Sequence, residues 1–295
     1  VGLNPPQDHL EPMDSSAFYS LMVKEIAENL LRLDDVQSAT LAAYYRRSLI
    51  QHPERLKFYQ YNWAKRVEPM ANLLRSLPTR DRPWRVLDAG CGVGTESIFF
   101  GLSRSDLEIT GVDIADRRLT AANARKRAYE AYLDRGLSIR FTNQDVFELL
   151  RSQRYDLIWS MESISHIDPA ERFLEDAFQS LENHGTLVIS DSHQLNPVVF
   201  MRALKHQRKG GNRDTRKVGG GESISYARER VFSVPHLVSL LKTAGFHRIR
   251  SQLSIYFPKH LSSFIGLLRY WDSFWNRVPL LRYVGGIYTI TASKL

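Results

Sequence analysis

The sequence predicts an α/β fold built on a doubly wound, mostly parallel sheet of seven strands, with a helical segment ahead of it. Three observations carry that expectation. The stretch VLDAGCGVGTES, Val86 to Ser97, reads as a buried strand (Arg85 to Asp88) that runs into a glycine turn at Gly90, Gly92 and Gly94 and then into a helix from about Thr95. From Arg85 onward, short apolar runs alternate with helical patterns, the order expected of a sheet with helices on both faces. Asp113 closes the second apolar run 25 residues after Asp88, and an acid at the tip of the strand beside a glycine turn can accept hydrogen bonds from ribose hydroxyls.

Composition bounds the rest. A chain of 295 residues with 43% hydrophobic content can bury one substantial core. Residues 1–295 are expected to form one domain, with 1–83 a helical cap and 84–295 a ligand-binding core that carries insertions at 192–230 and 259–282. The single cysteine, Cys91, fits a reducing compartment and rules out an intramolecular disulfide. The absence of a basic-then-apolar leader and of an apolar run of spanning length points to the cytoplasm. The net charge of +8 is unevenly placed: nine Lys/Arg stand against three acids between positions 202 and 230, so that segment supplies six of the eight excess charges.

Ahead of the glycine turn the pattern is helical. Asp14 or Ser15 can cap a first helix whose stripe is Phe18, Met22, Ile26 and Leu30. A second runs from Asp35 until Pro53 interrupts, and a third carries Tyr59, Tyr61 and Trp63. Pro69 then opens a short helix, Met70 to Leu77. The aromatic density fits ordinary packing, and equally a cover over a pocket.

The glycines let the chain turn sharply at the strand's carboxyl end and keep side chains away from main-chain N–H groups that face a ligand. A dinucleotide fits poorly. GxGxxG started at Gly90 needs glycine at position 95, which is Thr95, and Asp88 repels a pyrophosphate but suits an ammonium group. The DAGCGVG segment resembles motif I of the class I S-adenosyl-L-methionine-dependent methyltransferases. That resemblance implies the sheet order 3214576, S-adenosyl-L-methionine as cofactor and S-adenosyl-L-homocysteine as its product. It implies a cofactor site made by Asp88, Gly90, Cys91, Gly92 and Gly94, with Asp113 and Ile114 at the ribose, Asp145 and Val146 at the adenine, and Ser160 and Met161 after the fourth strand. Cys91 itself reads as a small residue packed under the cofactor or as a reactive thiol.

The remaining elements follow in order. The second strand is Leu107 to Asp113, a helix spans Arg117 to Asp134, and the third strand is Leu137 to Thr142. The Asp145 that follows also stands where a helix cap would. The fourth strand, Tyr155 to Trp159, leads into SMESISHID, which in a doubly wound sheet meets the reacting atoms. Its MES..H pattern resembles the tocopherol and sterol methyltransferase-like branch. Glu162 and His166 are the catalytic candidates, because a histidine titrating near neutrality can take a hydroxyl proton. Asp168, Pro169 and Glu171 form a helix start, so His166 could equally decorate the turn before it. The tetrad of enzymes that methylate base amines, Asn/Asp-Pro-Pro-aromatic, is missing here. The fifth strand is Gly185 to Asp191, the helix Val234 to Thr243 and the sixth strand His247 to Tyr256 come next, and Tyr283 to Ser293 supplies the seventh.

If the fifth and sixth strands are parallel to the first, both insertions leave from carboxyl ends, on the cofactor side. The glycines at 210–211 and 219–221 make 192–230 read as a mobile basic loop. Leu261, Phe264, Ile265, Leu268, Trp271 and Trp275 fall on one helical face of the second insertion. Together they suit a lid over an acceptor with an apolar body and an anionic group, an anionic membrane surface contacted peripherally, or only a packed helix and a solvated loop. The expected activity is methyl transfer to a small or lipid-like acceptor, by O-methylation with His166 as base. C-methylation of a quinone-, polyketide- or isoprenoid-type acceptor competes closely. Nucleic acid is the weaker partner, since Tyr226 is the sole aromatic among residues 202–230, and a non-catalytic cofactor-binding subunit conflicts with the intact motif. No cluster of residues has metal-ligand spacing.

Overall fold

The computed structural model describes Phe18 and residues 52–207, 213–217, 223–227, 230–256, 264–275, 277–278 and 283–295. The helices expected from Asp14 and from Asp35 lie outside these residues. Phe18 itself is fully buried, with ring centroids 5.7 Å from Trp63, 5.1 Å from Phe99 and 6.2 Å from Tyr129.

Helix α1 (Pro53–Ser76) replaces the two shorter helices expected on either side of Pro69. Pro53 begins it, at a position where a missing N–H is harmless. Pro69 lies inside it and does not break it. Trp63, Val67, Met70 and Leu74 recur at helical spacing and are all buried in one apolar cluster. That stripe runs through the proline, and its burial outweighs the loss of one helical hydrogen bond.

Strands β1 (Trp84–Ala89), β2 (Leu107–Val112), β3 (Ile139–Thr142), β4 (Tyr155–Met161) and β5 (Leu181–Ser192) are parallel. Strands β6 (Arg213–Lys217) and β7 (Ser223–Ala227) form a separate antiparallel hairpin. Strand β8 (His247–Ser254) and strand β9 (Ile287–Ser293) complete the sheet, β9 lying antiparallel between β5 and β8. The order β3-β2-β1-β4-β5-β9-β8 is the expected 3214576 once the hairpin is set aside.

Helices α2 (Thr95–Ser103), α3 (Asp116–Leu133), α4 (Val146–Ser152), α5 (Ala170–Ser180), α6 (Pro197–Gln207), α7 (Val234–Thr243) and α8 (Ile265–Trp275) complete the chain. One core packs α1, α2 and α3 on Val86, Leu157, Trp159 and Val188, and the other packs α4, α5 and α7 on Leu87, Ile158, Leu187 and Ile189. Neighbouring strand residues thus enter opposite cores, and these strands read as continuous apolar runs because both faces are covered.

The segment expected as a mobile loop after β5 holds a helix and a hairpin. Asn196 caps α6, its Oδ1 accepting from the N–H groups of Val198 at 3.1 Å and Val199 at 3.2 Å, with Pro197 at the first position. Arg230 closes the segment onto the turn after β4. Its guanidinium donates to Ile167 O at 2.8 Å and pairs with Asp168 at 3.0 Å, and its N–H donates to Ser165 O at 2.9 Å.

Candidate active site

The glycine turn is held by the protein's own hydrogen bonds. Val112 O accepts from the N–H of Gly90 at 2.8 Å and of Cys91 at 2.9 Å, Cys91 O accepts from Gly94 at 2.8 Å, and Asp113 Oδ2 accepts from Gly92 at 3.0 Å. These N–H groups therefore do not face a ligand as expected, and the glycines answer to geometry instead. All three have positive φ. A Cβ on Gly90 would sit 2.3 Å from Ser163 Cβ, and one on Gly94 2.5 Å from the Phe141 ring. A Cβ on Gly92 would meet nothing within 4 Å, so the open side of the turn is at Gly92. Cys91 is buried, and desolvation pushes its thiol well above the usual range, an inert packing residue.

Acids converge beneath this turn. Asp88, at the end of β1, is buried and accepts from Ser97 Oγ at 2.6 Å. Desolvation, and then the charge of Glu96, push its carboxyl up to about 8. Glu96 in the first turn of α2 is also buried and accepts from Trp63 Nε1 at 2.6 Å; desolvation raises it as well. Asp113 at the tip of β2 is buried too, and its second oxygen accepts from the Ala115 N–H at 2.8 Å. Arg118 approaches it at 3.7 Å from an exposed position. A cationic ligand would relieve this desolvated cluster. Ile114 and Val146 are half-buried. Asp145 caps α4, its Oδ1 accepting from the Phe147 N–H at 2.9 Å, so the cap role is realised.

Beyond β4, the chain makes a tight turn. Ser160 and Ser163 share a hydrogen bond of 2.7 Å between hydroxyls, and Ser163 Oγ donates to Ala89 O at 2.5 Å, which brings the turn against Gly90. Met161 packs at the rim of the first core. Glu162 has φ +50°, a conformation a non-glycine residue rarely holds without support, and its N–H donates to Ser190 O at 2.9 Å. Its carboxylate pairs at 2.9 Å with Arg66, a buried residue of α1 whose other terminal nitrogen, Nη1, has no hydrogen-bond partner. His166 lies exposed on the same turn, its N–H donating to Ser163 O at 2.9 Å.

The end of β5 adds groups that the sequence reading passed over. Asp191 is buried, accepts from the N–H of Ser192 at 2.6 Å and Ser165 at 3.3 Å, and is pushed up to about 6 by desolvation. His193 is buried with Nδ1 3.2 Å from Gly285 O, which fixes Nδ1–H as donor and leaves Nε2 as a buried acceptor without a partner. Desolvation lowers its pKa, which favours the neutral ring. Asp191 had a signal, an acid at a strand tip, the same that marked Asp113. Glu96 had one in its place in the turn after Gly94. Arg66 and Trp63 had none, because only the topology carries α1 to this edge.

Comparison with known proteins places this geometry. Three curated relatives are a 27-O-demethylrifamycin SV methyltransferase of Amycolatopsis mediterranei (31% identity over 36% of this chain and 38% of the relative), an S-adenosyl-L-methionine-dependent Diels-Alderase of Talaromyces variabilis (31%; 36% and 35%), and an erythromycin 3''-O-methyltransferase of Saccharopolyspora erythraea (29%; 42% and 40%). The chain thus spans well under half the length of these relatives. Among solved structures, a phosphoethanolamine N-methyltransferase of Haemonchus contortus with S-adenosylhomocysteine bound aligns at a TM-score of 0.51 and 16% identity, over 77% of this chain and 52% of that one. An S-adenosylmethionine-dependent methyltransferase of Archaeoglobus fulgidus aligns at 0.50 and 15%, over 80% and 100%. Both share the fold. The family profile described as "Methyltransferase domain" matches residues 57–251, from α1 through β8, and on that match the chain belongs to the methyltransferase domain family.

Proposed function

We propose that this chain transfers a methyl group from S-adenosyl-L-methionine to the oxygen of a small or lipid-like acceptor that carries an anionic group. The observation that carries the reading is the buried acid cluster of Asp88, Glu96 and Asp113 beside the open side of the turn at Gly92. Two desolvated acids raised by burial favour a cation over a phosphate. The cofactor, when bound, supplies an electrophilic methyl group. Asp88 and Glu96 would hold its ammonium end, Asp113 its ribose hydroxyls, and Asp145 with the Val146 N–H its adenine.

The acceptor would lie past β4. Arg66 holds Glu162 and keeps one buried donor unpartnered, which suits an anionic or carbonyl oxygen on the acceptor. His166 is the proton acceptor in this reading, since it is exposed on the turn, whereas His193 is walled in. His166→Ala should lower turnover about 10²-fold or more with S-adenosyl-L-methionine affinity nearly unchanged, while His193→Ala should leave turnover within a few-fold. A loss confined to His193→Ala moves the base to that residue. The first experiment is calorimetric titration with S-adenosyl-L-methionine, followed by mass spectrometry of acceptor mixtures for S-adenosyl-L-homocysteine. Failure to bind the cofactor sinks the reading. Binding with acceptor consumption but without the demethylated product favours a second reading, suggested by the Diels-Alderase relative, in which the held cofactor shapes a pocket for another reaction.

A further inference from the structure

We propose that α6 and α8 form a docking face for an anionic bilayer surface. Val198, Met201 and Leu204 follow one another at three-residue intervals on α6, and Leu267, Trp271 and Phe274 fall on one face of α8. All six are exposed, Met201 at 70% and Leu267 at 67%. Single exposed apolar residues are ordinary, but two helical stripes are not.

Both helices follow strands that end at the same edge of the sheet. Helix α6 starts just past the carboxyl end of β5, and Asn196 Nδ2 donates to Val284 O at 2.8 Å. Helix α8 follows β8 and is pinned by the buried Asp272, which accepts from Tyr256 N–H at 2.9 Å and from Tyr61 OH at 2.7 Å. Each of β5 and β8 is antiparallel to β9, so they are parallel to each other, and both helices leave from the edge that carries the glycine turn. Asp272 fixes one side of α8 and leaves the stripe on another.

Charge selects the occupant. Residues 202–230 carry nine Lys/Arg against three acids, and Arg202 and Lys205 each follow a stripe residue of α6 by one position. Apolar stripes beside basic positions, with an aromatic contribution from Trp271 and Phe274, match a helix lying in the interface of an anionic membrane. A second copy of this chain would cover the apolar residues but would bring two basic segments together. The proposal does not depend on methyl transfer.

Purified protein is sedimented with phosphatidylcholine vesicles and with mixed phosphatidylglycerol and phosphatidylcholine vesicles. Binding to the anionic vesicles should be about tenfold tighter or more, and should weaken as salt rises. Met201→Asp and Leu267→Asp should each weaken it about tenfold, with thermal unfolding and cofactor binding retained. In the unsubstituted chain, lipids brominated on their acyl chains should quench tryptophan fluorescence in anionic vesicles only, a readout that needs no variant. Three results overturn the proposal: no binding to anionic vesicles, equal binding to neutral ones, or concentration-dependent self-association without lipid that either substitution abolishes.

Discussion

Asp88 is raised by burial, and in the proposed site the charge of the ligand would oppose that shift. Held at about 8 by desolvation and by Glu96, its carboxyl keeps a proton near neutral pH in the ligand-free protein. On the proposed placement, the cofactor's ammonium end beside it would favour the ionised form, and binding would expel that proton. Titration with S-adenosyl-L-methionine at about pH 6, in buffers of different ionisation enthalpy, should therefore report release of close to one proton. Asp88→Asn should release almost none. Equal release from both forms would place the displaced proton on another group. Ser97, whose hydroxyl donates to Asp88 at 2.6 Å, orients the carboxyl.

At the scale of elements, α1 joins the acid cluster to the turn after β4. Trp63 reaches Glu96, Arg66 reaches Glu162, and Val67 and Met70 seat the helix in the core between them. Pro69 interrupts the backbone ladder of this helix without breaking it. Pro69→Ala should restore one hydrogen bond and stabilise the protein by about 1–3 kcal/mol, read as a higher urea midpoint at constant slope; a lower midpoint would mean that the proline ring packs or bends the helix usefully. The same helix shows where the sequence was and was not legible. Strand–turn–helix at Val86 to Ser97 and the acid at Asp113 follow from local patterns, the sheet order follows from the resemblance that the glycine turn carries, and the chain has all three. The continuity of α1 through Pro69 depends on burial against a sheet made later in the chain, which no local pattern states. The α6 start at Asn196-Pro197 was a local signal, masked by the glycines that follow. On the site, Asp88 and Asp113 were readable as strand tips, whereas the Arg66–Glu162 pair joins elements 96 residues apart in sequence.

For the whole molecule, the buried titratable groups set how stability depends on pH. Asp88 and Asp191 are both raised, to about 8 and about 6, with desolvation the leading cause. A carboxyl whose folded pKa exceeds its unfolded value of about 4 binds more protons in the native state. The stability it contributes is complete at low pH and is lost as pH rises through the folded pKa. His193 acts in the other direction: burial lowers its pKa, so its contribution is present above about 6.5 and fades as pH falls through the region below. Asp156, lowered despite desolvation by its hydrogen bonds from Arg80 and Arg82, titrates below this range and leaves it unaffected. Between about pH 6.5 and 9 the Asp88 contribution therefore dominates, and the ligand-free melting temperature should fall by several degrees, on the order of a few kcal/mol of stability. On the proposed placement, saturating S-adenosyl-L-methionine would set a cation against the ionised carboxylate and should flatten the slope as well as raise the melting temperature. A melting temperature that stays level or rises across that interval in the ligand-free protein would mean that Asp88 is already ionised, and that another cation neutralises the acid cluster beneath the glycine turn.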